Sequence, residues 1–300
     1  MAMKYLVFPG QGSQKPGFLE PWVVNDAFKS IVESHSETIG MDLIHMGTKA
    51  SQEEIAQTSV TQPLIVSASI ASARTVFSEK QLASFDAMAG HSVGEFALAA
   101  LAGIITDEQA MKLVSLRANA MQKAADENAT GMAAAIGSDL GELKSKLGNL
   151  EIANYNGANQ YVIAGAQSDL EKIKENPPTG FRIIPLAVTG AFHTGYMDPA
   201  KQELASHFEG IEAKDPKVKV LSNRDGQEVA SGEEFMQSLL KQVSSPVRWD
   251  KCMETINGAQ IVVEAAPSGV LSNLLKKSID DAQIYSLKTS DDSIDLGLND

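Results

Sequence analysis

The alternation of apolar and polar positions predicts strands and helices that follow one another along most of the chain. Short apolar runs are typical of buried β-strands, and longer runs with an apolar residue every three or four positions are typical of helices. Strands are expected at 4–8, 85–89, 218–222 and 260–264. Helices are expected at 26–39, 63–77, 94–102, 107–125, 198–208, 233–243, 249–257 and 269–279. Such alternation predicts a mostly parallel sheet covered on both faces.

The segment 126–189 has a different order of elements. Its strands are expected at 130–136, 150–155, 160–164 and 181–188, with helices at 139–147 and 168–175. The order βαββαβ is that of a ferredoxin-like unit. We therefore predict an α/β protein with one large α/β domain, residues 1–125 and 190–300, and a ferredoxin-like subdomain inserted at 126–189.

The composition limits the classes of protein to consider. The 300 residues are 43% hydrophobic, which is ordinary for a globular protein, and no apolar run reaches the length of a membrane span. The N-terminal residues lack the apolar core and cleavage site of a signal peptide. The single cysteine, Cys252, excludes an internal disulfide and a cysteine-based metal cluster. We expect a cytoplasmic protein with no metal and no cofactor.

The charge makes nucleic acid an improbable partner. The formal net charge is −13, whereas phosphate binding requires clustered Lys and Arg. Six aspartates crowd the last 21 residues: Asp280, Asp281, Asp291, Asp292, Asp295 and Asp300. The chain beyond Lys288 is expected to be frayed, and such a tail is more typical of solubility than of a binding site.

The candidate chemistry begins at residues 90–96, Gly-His-Ser-Val-Gly-Glu-Phe. The motif lies between an apolar run and a run of strong helix formers. A Gly-x-Ser-x-Gly sequence between strand and helix is typical of the nucleophile elbow of α/β-hydrolase-like domains, in which small residues flank an exposed serine hydroxyl. The helix N-terminus then faces any oxyanion that forms there. We predict that Ser92 is a nucleophile, with a structural turn as the alternative.

A serine nucleophile needs a base to take its proton, and histidine is the usual one. His35, His45 and His207 lie in polar helical stretches, where surface or capping roles are expected. His91 is adjacent to Ser92, and neighbouring side chains on a tight turn diverge. His193 lies between Gly190 and Gly195, on a loop of small residues at the end of a predicted strand. This position favours His193 as the base. The alternative is a structural histidine in the core.

Arg117 lies on the apolar face of its predicted helix. Ala110, Leu113, Val114, Met121 and Ala124 are three, four or seven positions away from it. A guanidinium in such surroundings needs partners for its five N–H donors. The partner is either an internal carboxylate or the carboxylate of a substrate, which arginine binds with two parallel hydrogen bonds.

Residues 8–14, Phe-Pro-Gly-Gln-Gly-Ser-Gln, form a glycine-rich loop after the first strand. A dinucleotide-binding loop would need glycine where Lys15 stands, and a phosphate-binding loop would need Gly-Lys-Ser/Thr. The loop is better suited to presenting a backbone N–H to an oxyanion.

Taken together, these segments resemble the malonyl-CoA:acyl carrier protein transacylase family over nearly the whole chain. The matching motifs are 8–14, 90–95, 116–117 with 121–122, 131–134, 154–156 with 162–165, 191–194, 245–249 and 264–271. Two small departures are Ala266, where many relatives have glycine, and Ser244-Ser245, where a bulkier pair is usual.

The resemblance implies a role for each matching position. Ser92 would be the nucleophile and His193 the general base, the amides of Gln11 and Val93 the oxyanion hole, and the carbonyl of Gln242 the group that orients the histidine. Arg117 would bind the malonyl carboxylate. Met121, Asn154 and Phe192 would line the substrate pocket, and the Phe192 ring would disfavour an α-methyl branch.

The resemblance also implies the reaction and its partners. The malonyl group would pass from malonyl-CoA to Ser92 and then to the pantetheine thiol of acyl carrier protein, for fatty-acid or polyketide synthesis. The alternatives are a serine hydrolase, which would need an acidic partner for the histidine, and a scaffold that has lost the chemistry. Lys276 and Lys277 are a candidate contact for an acidic carrier protein, with a solvated helix face as the alternative.

Overall fold

The computed structural model describes residues 3–297. Its strands are β1 Lys4–Phe8, β2 Ala87–Gly90, β3 Thr130–Ile136, β4 Glu151–Gly157, β5 Gln160–Ala166, β6 Arg182–Thr189, β7 Lys219–Leu221, β8 Ile261–Glu264 and β9 Gln283–Ser286. Its helices are α1 Asp26–Ile39, α2 Leu43–Thr48, α3 Gln52–Ala56, α4 Thr58–Val76, α5 Glu79–Leu82, α6 Gly94–Leu101, α7 Asp107–Asp126, α8 Leu140–Lys146, α9 Gln167–Glu175, α10 Asp198–Phe208, α11 Gly232–Gln242, α12 Trp249–Ile256 and α13 Val270–Leu275. One 3₁₀ turn, Gly195–Met197, precedes α10.

A parallel sheet with the order β7-β2-β1-β8-β9 forms the centre of the larger part of the molecule. Along β1, Leu6 and Phe8 pack into one apolar cluster, and Tyr5 and Val7 pack into another. Successive side chains of a strand point to opposite faces, so the sheet has a core on each side. The predicted parallel sheet with two covered faces is confirmed.

The second sheet is antiparallel and has the order β4-β5-β3-β6. With α8 and α9 it has the βαββαβ order of a ferredoxin-like unit, as the sequence predicted. The boundaries of this unit as a separate subdomain, at residues 126 and 189, stay a prediction.

Several elements differ from the expected ones. Helix α4 begins at Thr58, not at 63, so that Pro63 lies inside the helix. Proline is favoured in the first turn of a helix and disfavoured in its interior. Residues 58, 61 and 62 are buried here, and tertiary packing outweighs that preference. The short helices α2, α3 and α5 and the edge strand β9 had not been predicted.

The expectation of a frayed C-terminus is wrong for the described part of it. Ile294 and Leu296 are buried in the main core, and Lys4 Nζ donates a hydrogen bond to the Leu296 carbonyl at 2.9 Å. The side chain of Asp292 accepts from the backbone N–H of Thr289 at 3.0 Å. The two apolar side chains outweigh the acidic composition on which the expectation rested. Asp300 lies outside the described residues.

Candidate active site

Ser92 lies on a tight turn between β2 and α6, with a φ of 51°. A Cβ on Gly90 would lie 2.4 Å from the carbonyl carbon of Gly94, and a Cβ on Gly94 would lie 2.3 Å from the carbonyl oxygen of Phe8. The turn therefore has room only for glycine on either side of the serine. The predicted tight turn between strand and helix is present, and the role of Ser92 as a nucleophile stays a prediction.

The side chain of Asn223, which follows β7, stabilises this turn with two hydrogen bonds. Its Oδ1 accepts from the Ser92 backbone N–H at 2.7 Å, and its Nδ2 donates to the Gly90 carbonyl. Sequence reasoning missed Asn223, because no local pattern indicates that residues 131 positions apart in the chain are in contact.

His193 lies against Ser92, at the end of the loop that follows β6. Its Nε2 is 2.7 Å from Ser92 Oγ, and its Nδ1 is 2.8 Å from the backbone carbonyl oxygen of Gln242, the last residue of α11. A carbonyl only accepts, so Nδ1 carries the proton and Nε2 is free to accept the serine proton. The partner of the histidine is thus a backbone carbonyl, whereas the serine hydrolase alternative requires an acidic side chain at this position.

Burial, followed by the positive charge of Arg117, lowers the pKa of His193 to about 3. The cause is that an imidazolium loses its hydration in this closed site. At neutral pH the imidazole is therefore in the neutral form that accepts a proton.

The other histidines lie away from this contact. His91 Nε2 is 3.0 Å from Asn156 Oδ1, and the exposed His45 and His207 lie on the surface as expected. The expectation of a surface or capping role for His35 is wrong. It is 3% exposed and bonds through Nδ1 to Ser67 Oγ at 3.0 Å, because α4 packs over this face of α1.

Arg117 is 1% exposed and points from α7 into the same site. Nη1 donates to Gln62 Oε1 at 2.6 Å, and Nη2 donates to Gln242 Oε1 at 3.0 Å and lies 3.4 Å from Ser92 Oγ. Within residues 3–297 none of its hydrogen-bond partners is a carboxylate, and its Nε has no partner. Burial lowers its pKa to about 10. The internal-carboxylate alternative therefore does not describe its direct contacts.

Sequence reasoning also assigned no role to Gln62 and Glu95. The only local signal for Gln62 is a polar pair, Thr61-Gln62, inside an apolar helix. Glu95 follows the elbow and is 1% exposed, and burial raises its pKa to about 8.

The structure brings all the predicted site residues together. A small pocket of about 80 Å³ is lined by Gln11, Gln62, His91, Ser92, Val93, Arg117, Met121, Met132, Asn154, Val162, Leu186, Val188, Phe192 and His193. It shares several of these residues with an outer cleft of about 700 Å³, which extends between the antiparallel sheet and α13 and reaches Lys277. Gln242 lies behind the pocket and contacts it through Arg117 and His193.

Gln11 and Val93 line the pocket beside Ser92. Gln11 follows β1 and Val93 follows the serine, and β1 and β2 are parallel neighbours, so both loops lie at the same sheet edge. Neither N–H has an acceptor within the described residues 3–297. Two unpartnered donors beside a nucleophile are what an oxyanion hole requires.

The remaining predicted residues form the walls of the pocket. Phe192 and Met121 are almost fully buried, and Met121 Sδ accepts from Gln62 Nε2 at 3.6 Å. Asn154 lies on β4, and its buried Oδ1 has no partner among residues 3–297. In that part of the chain there is no cluster of three metal-ligating side chains and no helix long and apolar enough to cross a bilayer.

Comparisons with known proteins agree with this geometry. Residues 5–290 match the model of the family described as "Acyl transferase domain". The malonyl CoA-acyl carrier protein transacylase of Mycobacterium tuberculosis is 40% identical over 296 residues, covering 97% of this chain and 98% of that protein. The transacylase of the same name from Haemophilus influenzae is 35% identical and covers 94% of each chain.

Solved structures show the same similarity. The crystal structure of MCAT from Mycobacterium tuberculosis superposes with a TM-score of 0.91 at 40% identity and covers 96% of this chain and 97% of that one. A malonyl-transacylase in complex with its type II PKS acyl-carrier protein superposes with a TM-score of 0.89 at 32% identity, covering 96% of each chain. The family model and these relatives span almost the whole molecule, and the chain is therefore an acyltransferase that belongs to the malonyl CoA-acyl carrier protein transacylase family.

Proposed function

We propose that this protein transfers the malonyl group of malonyl-CoA to the pantetheine thiol of acyl carrier protein through a malonyl ester of Ser92, in fatty-acid or polyketide synthesis. The observation that carries the proposal is the contact of Arg117 with the Ser92–His193 pair. A nucleophile beside a buried cation that has no carboxylate partner in the described chain suits an acyl group that carries its own carboxylate.

In the first half-reaction, His193 Nε2 takes the proton of Ser92 as Oγ attacks the thioester carbonyl carbon. The negative charge moves to the carbonyl oxygen, which accepts from the N–H groups of Gln11 and Val93. When the tetrahedral intermediate collapses, the carbon–sulfur bond breaks. The CoA thiolate then takes the proton held by His193.

The second half-reaction is the reverse with a different thiol. His193 takes the proton of the pantetheine thiol, and the sulfur attacks the ester carbonyl. The bond to Ser92 Oγ breaks, and the serine recovers its proton from His193. The carbonyl of Gln242 holds the imidazole in one tautomer throughout, as a carboxylate does in a triad, although it stabilises the imidazolium less.

Arg117 would bind the malonyl carboxylate through its unused donors. An incoming carboxylate would replace Ser92 Oγ as the partner of Nη2 and would free the hydroxyl for attack. Holding the acyl group at both ends also favours transfer to a thiol over hydrolysis, because the pocket leaves little space for an activated water.

The outer cleft would accept the pantetheine arm, and Lys277 at its edge supports an approach of the acidic carrier from that side. Lys276, also exposed, lies beside it. The proposed chemistry uses only groups of the chain and its substrates. The cytoplasmic location, the absence of a cofactor and the exclusion of nucleic-acid and membrane partners stay predictions.

The test is labelling of Ser92 by malonyl-, methylmalonyl- and acetyl-CoA in competition, followed by intact mass spectrometry. We expect one malonyl group per chain, loss of the label in Ser92→Ala, and discharge of the label by the phosphopantetheine-bearing form of acyl carrier protein. Steady hydrolysis of malonyl-CoA without carrier would indicate a hydrolase. No label on the folded wild-type protein would indicate a scaffold.

A further inference from the structure

Gln242 contacts both functional halves of the site with different atoms. Its backbone carbonyl accepts from His193 Nδ1 at 2.8 Å, and its side-chain Oε1 accepts from Arg117 Nη2 at 3.0 Å. The residue is 5% exposed, so water does not compete for these contacts. The backbone contact survives any substitution except proline, whereas the side-chain contact depends on the amide. The two contacts can therefore be separated by mutation.

Glu95 fixes the direction of this amide. Gln242 Nε2 donates to Glu95 Oε2, and the backbone N–H of Asn223 donates to Glu95 Oε1 at 2.7 Å. The amide nitrogen also lies 3.3 Å from two other acceptors, the Ser92 carbonyl oxygen and Asn223 Oδ1, so the NH₂ end of the amide is directed to this side and the oxygen end is left for Arg117. Gln242 thus lies between Glu95 and Arg117 and connects the two by hydrogen bonds.

The opposite side of the guanidinium is held in a similar way. Gln62 Oε1 accepts from Nη1 at 2.6 Å, and the Phe96 ring lies 5.7 Å from the guanidinium carbon. Two neutral carbonyl oxygens fix the plane of the guanidinium without neutralising it. An internal carboxylate in direct contact would compete with a carboxylate of the substrate.

We propose that the side chain of Gln242, oriented by Glu95, is a positioning residue that sets Arg117 for the carboxylate of the acyl group. It thereby determines the preference for carboxylate-bearing over neutral acyl chains. This inference rests on the proposed function, because it concerns the residue that would bind the malonyl carboxylate.

The decisive variant is Gln242→Met, which keeps the backbone carbonyl and the length of the side chain and removes the amide. We expect kcat/KM for malonyl transfer to fall about tenfold or more, mainly through a higher KM. The reason is that loss of a hydrogen bond to a charged group weakens binding by about tenfold or more. Acetyl transfer should fall by a smaller factor, because the lost amide also donates to the Ser92 carbonyl and to Asn223 Oδ1, at 3.3 Å each, so that the ratio of malonyl to acetyl transfer falls. A fluorophosphonate, which reacts with an activated serine without needing a carboxylate, should still label Ser92.

The matched control is Gln237→Met on the same helix. Gln237 is exposed, and among residues 3–297 its side chain bonds only to Glu233, at 3.3 Å, so its loss should change the transfer of neither malonyl nor acetyl groups. Glu95→Gln, which keeps one acceptor for the Gln242 amide, should lose less malonyl preference than Glu95→Leu.

The outcomes separate the two proposals. A wild-type protein that forms no malonyl ester removes the proposed function and this inference together. If the wild-type protein transfers malonyl and the Gln242→Met variant keeps the wild-type ratio of malonyl to acetyl transfer, the positioning role alone is overturned. Loss of fluorophosphonate labelling in that variant would also overturn the positioning role, because the Gln242 side chain would then act on His193 and not on Arg117.

Discussion

Ser92 Oγ lies 2.7 Å from His193 Nε2, and both residues have left-handed backbone conformations, with φ of 51° and 62°. Such conformations cost a non-glycine residue about 1–2 kcal/mol. The proposed nucleophile and base are therefore both held in unfavourable conformations by the surrounding structure, which is typical of functional sites.

The strain at Ser92 predicts an order of stability among inactive variants. Ser92→Gly should be as stable as Ser92→Ala or more stable by up to about 1 kcal/mol, because the relieved strain exceeds the extra freedom of glycine in the unfolded chain. Denaturant unfolding of the two variants measures the difference. A Ser92→Ala protein that is clearly the more stable of the two would show that the turn is not strained.

The lowered pKa of His193 predicts the pH dependence of acylation. The imidazole accepts a proton only when it is neutral, and its pKa of about 3 keeps it neutral far below pH 6.5. The kcat/KM for acylation should therefore stay constant from pH 7, below the pKa of about 8 of Glu95, down to about pH 5. Stopped-flow labelling in that range, with Ser92→Ala as the blank, measures it. A decline centred near pH 6.5 would mean that the histidine is not buried as described.

Arg117 should determine which acyl groups are accepted. Arg117→Ala is expected to lower kcat/KM for malonyl transfer by about 10- to 100-fold, since hydrogen bonds to a charged group are lost. It should leave acetyl transfer unchanged or raise it. Parallel assays with both thioesters give the ratio. Full malonyl transfer by this variant, with no gain toward acetyl groups, would contradict the carboxylate-binding role.

Phe192 should limit the size of the acyl group. It is 5% exposed and lines the pocket beside the proposed base. Phe192→Leu should raise the preference for methylmalonyl over malonyl by about tenfold, the usual effect of space for one methyl group. Acetyl transfer by the same variant serves as the control for an intact site. An unchanged ratio would place the steric limit elsewhere in the pocket.

His35 should make the fold sensitive to acid. Burial lowers its pKa to about 4, so the unfolded chain binds its proton at a higher pH than the folded one. Its contribution to stability is complete above pH 6.5 and decreases as the pH falls, by about 2 kcal/mol at pH 5. His35→Asn should reduce this slope in unfolding curves measured from pH 7.5 to 5. The exposed His45 gives the control, His45→Asn, which should keep the wild-type slope.

Local patterns in the sequence were sufficient to predict the turn and the helices that carry Ser92 and Arg117. The glycines of the elbow, the helix after Ser92 and the position of Arg117 on an apolar face follow from turn geometry and helical periodicity, which act over a few residues. The same periodicities predicted the parallel sheet and the βαββαβ segment. The glycine-rich loop 8–14 indicated a backbone N–H for an oxyanion, and only the resemblance to a family pointed to Gln11, Val93 and Gln242 as the residues.

Only the tertiary structure decided which side chains are in contact. The contact of Ser92 with His193 spans 101 positions, and that of Arg117 with Gln242 spans 125, so both depend on the order of strands and the packing of helices. The same holds for Asn223 beneath the elbow and for Glu95, whose partner lies on α11. Propensity also failed where packing outweighed it, at the start of α4 and in the acidic C-terminal segment. The sequence determined which chemical groups the site contains, and the packing of distant segments decided their distances, because no local pattern encodes a contact between them.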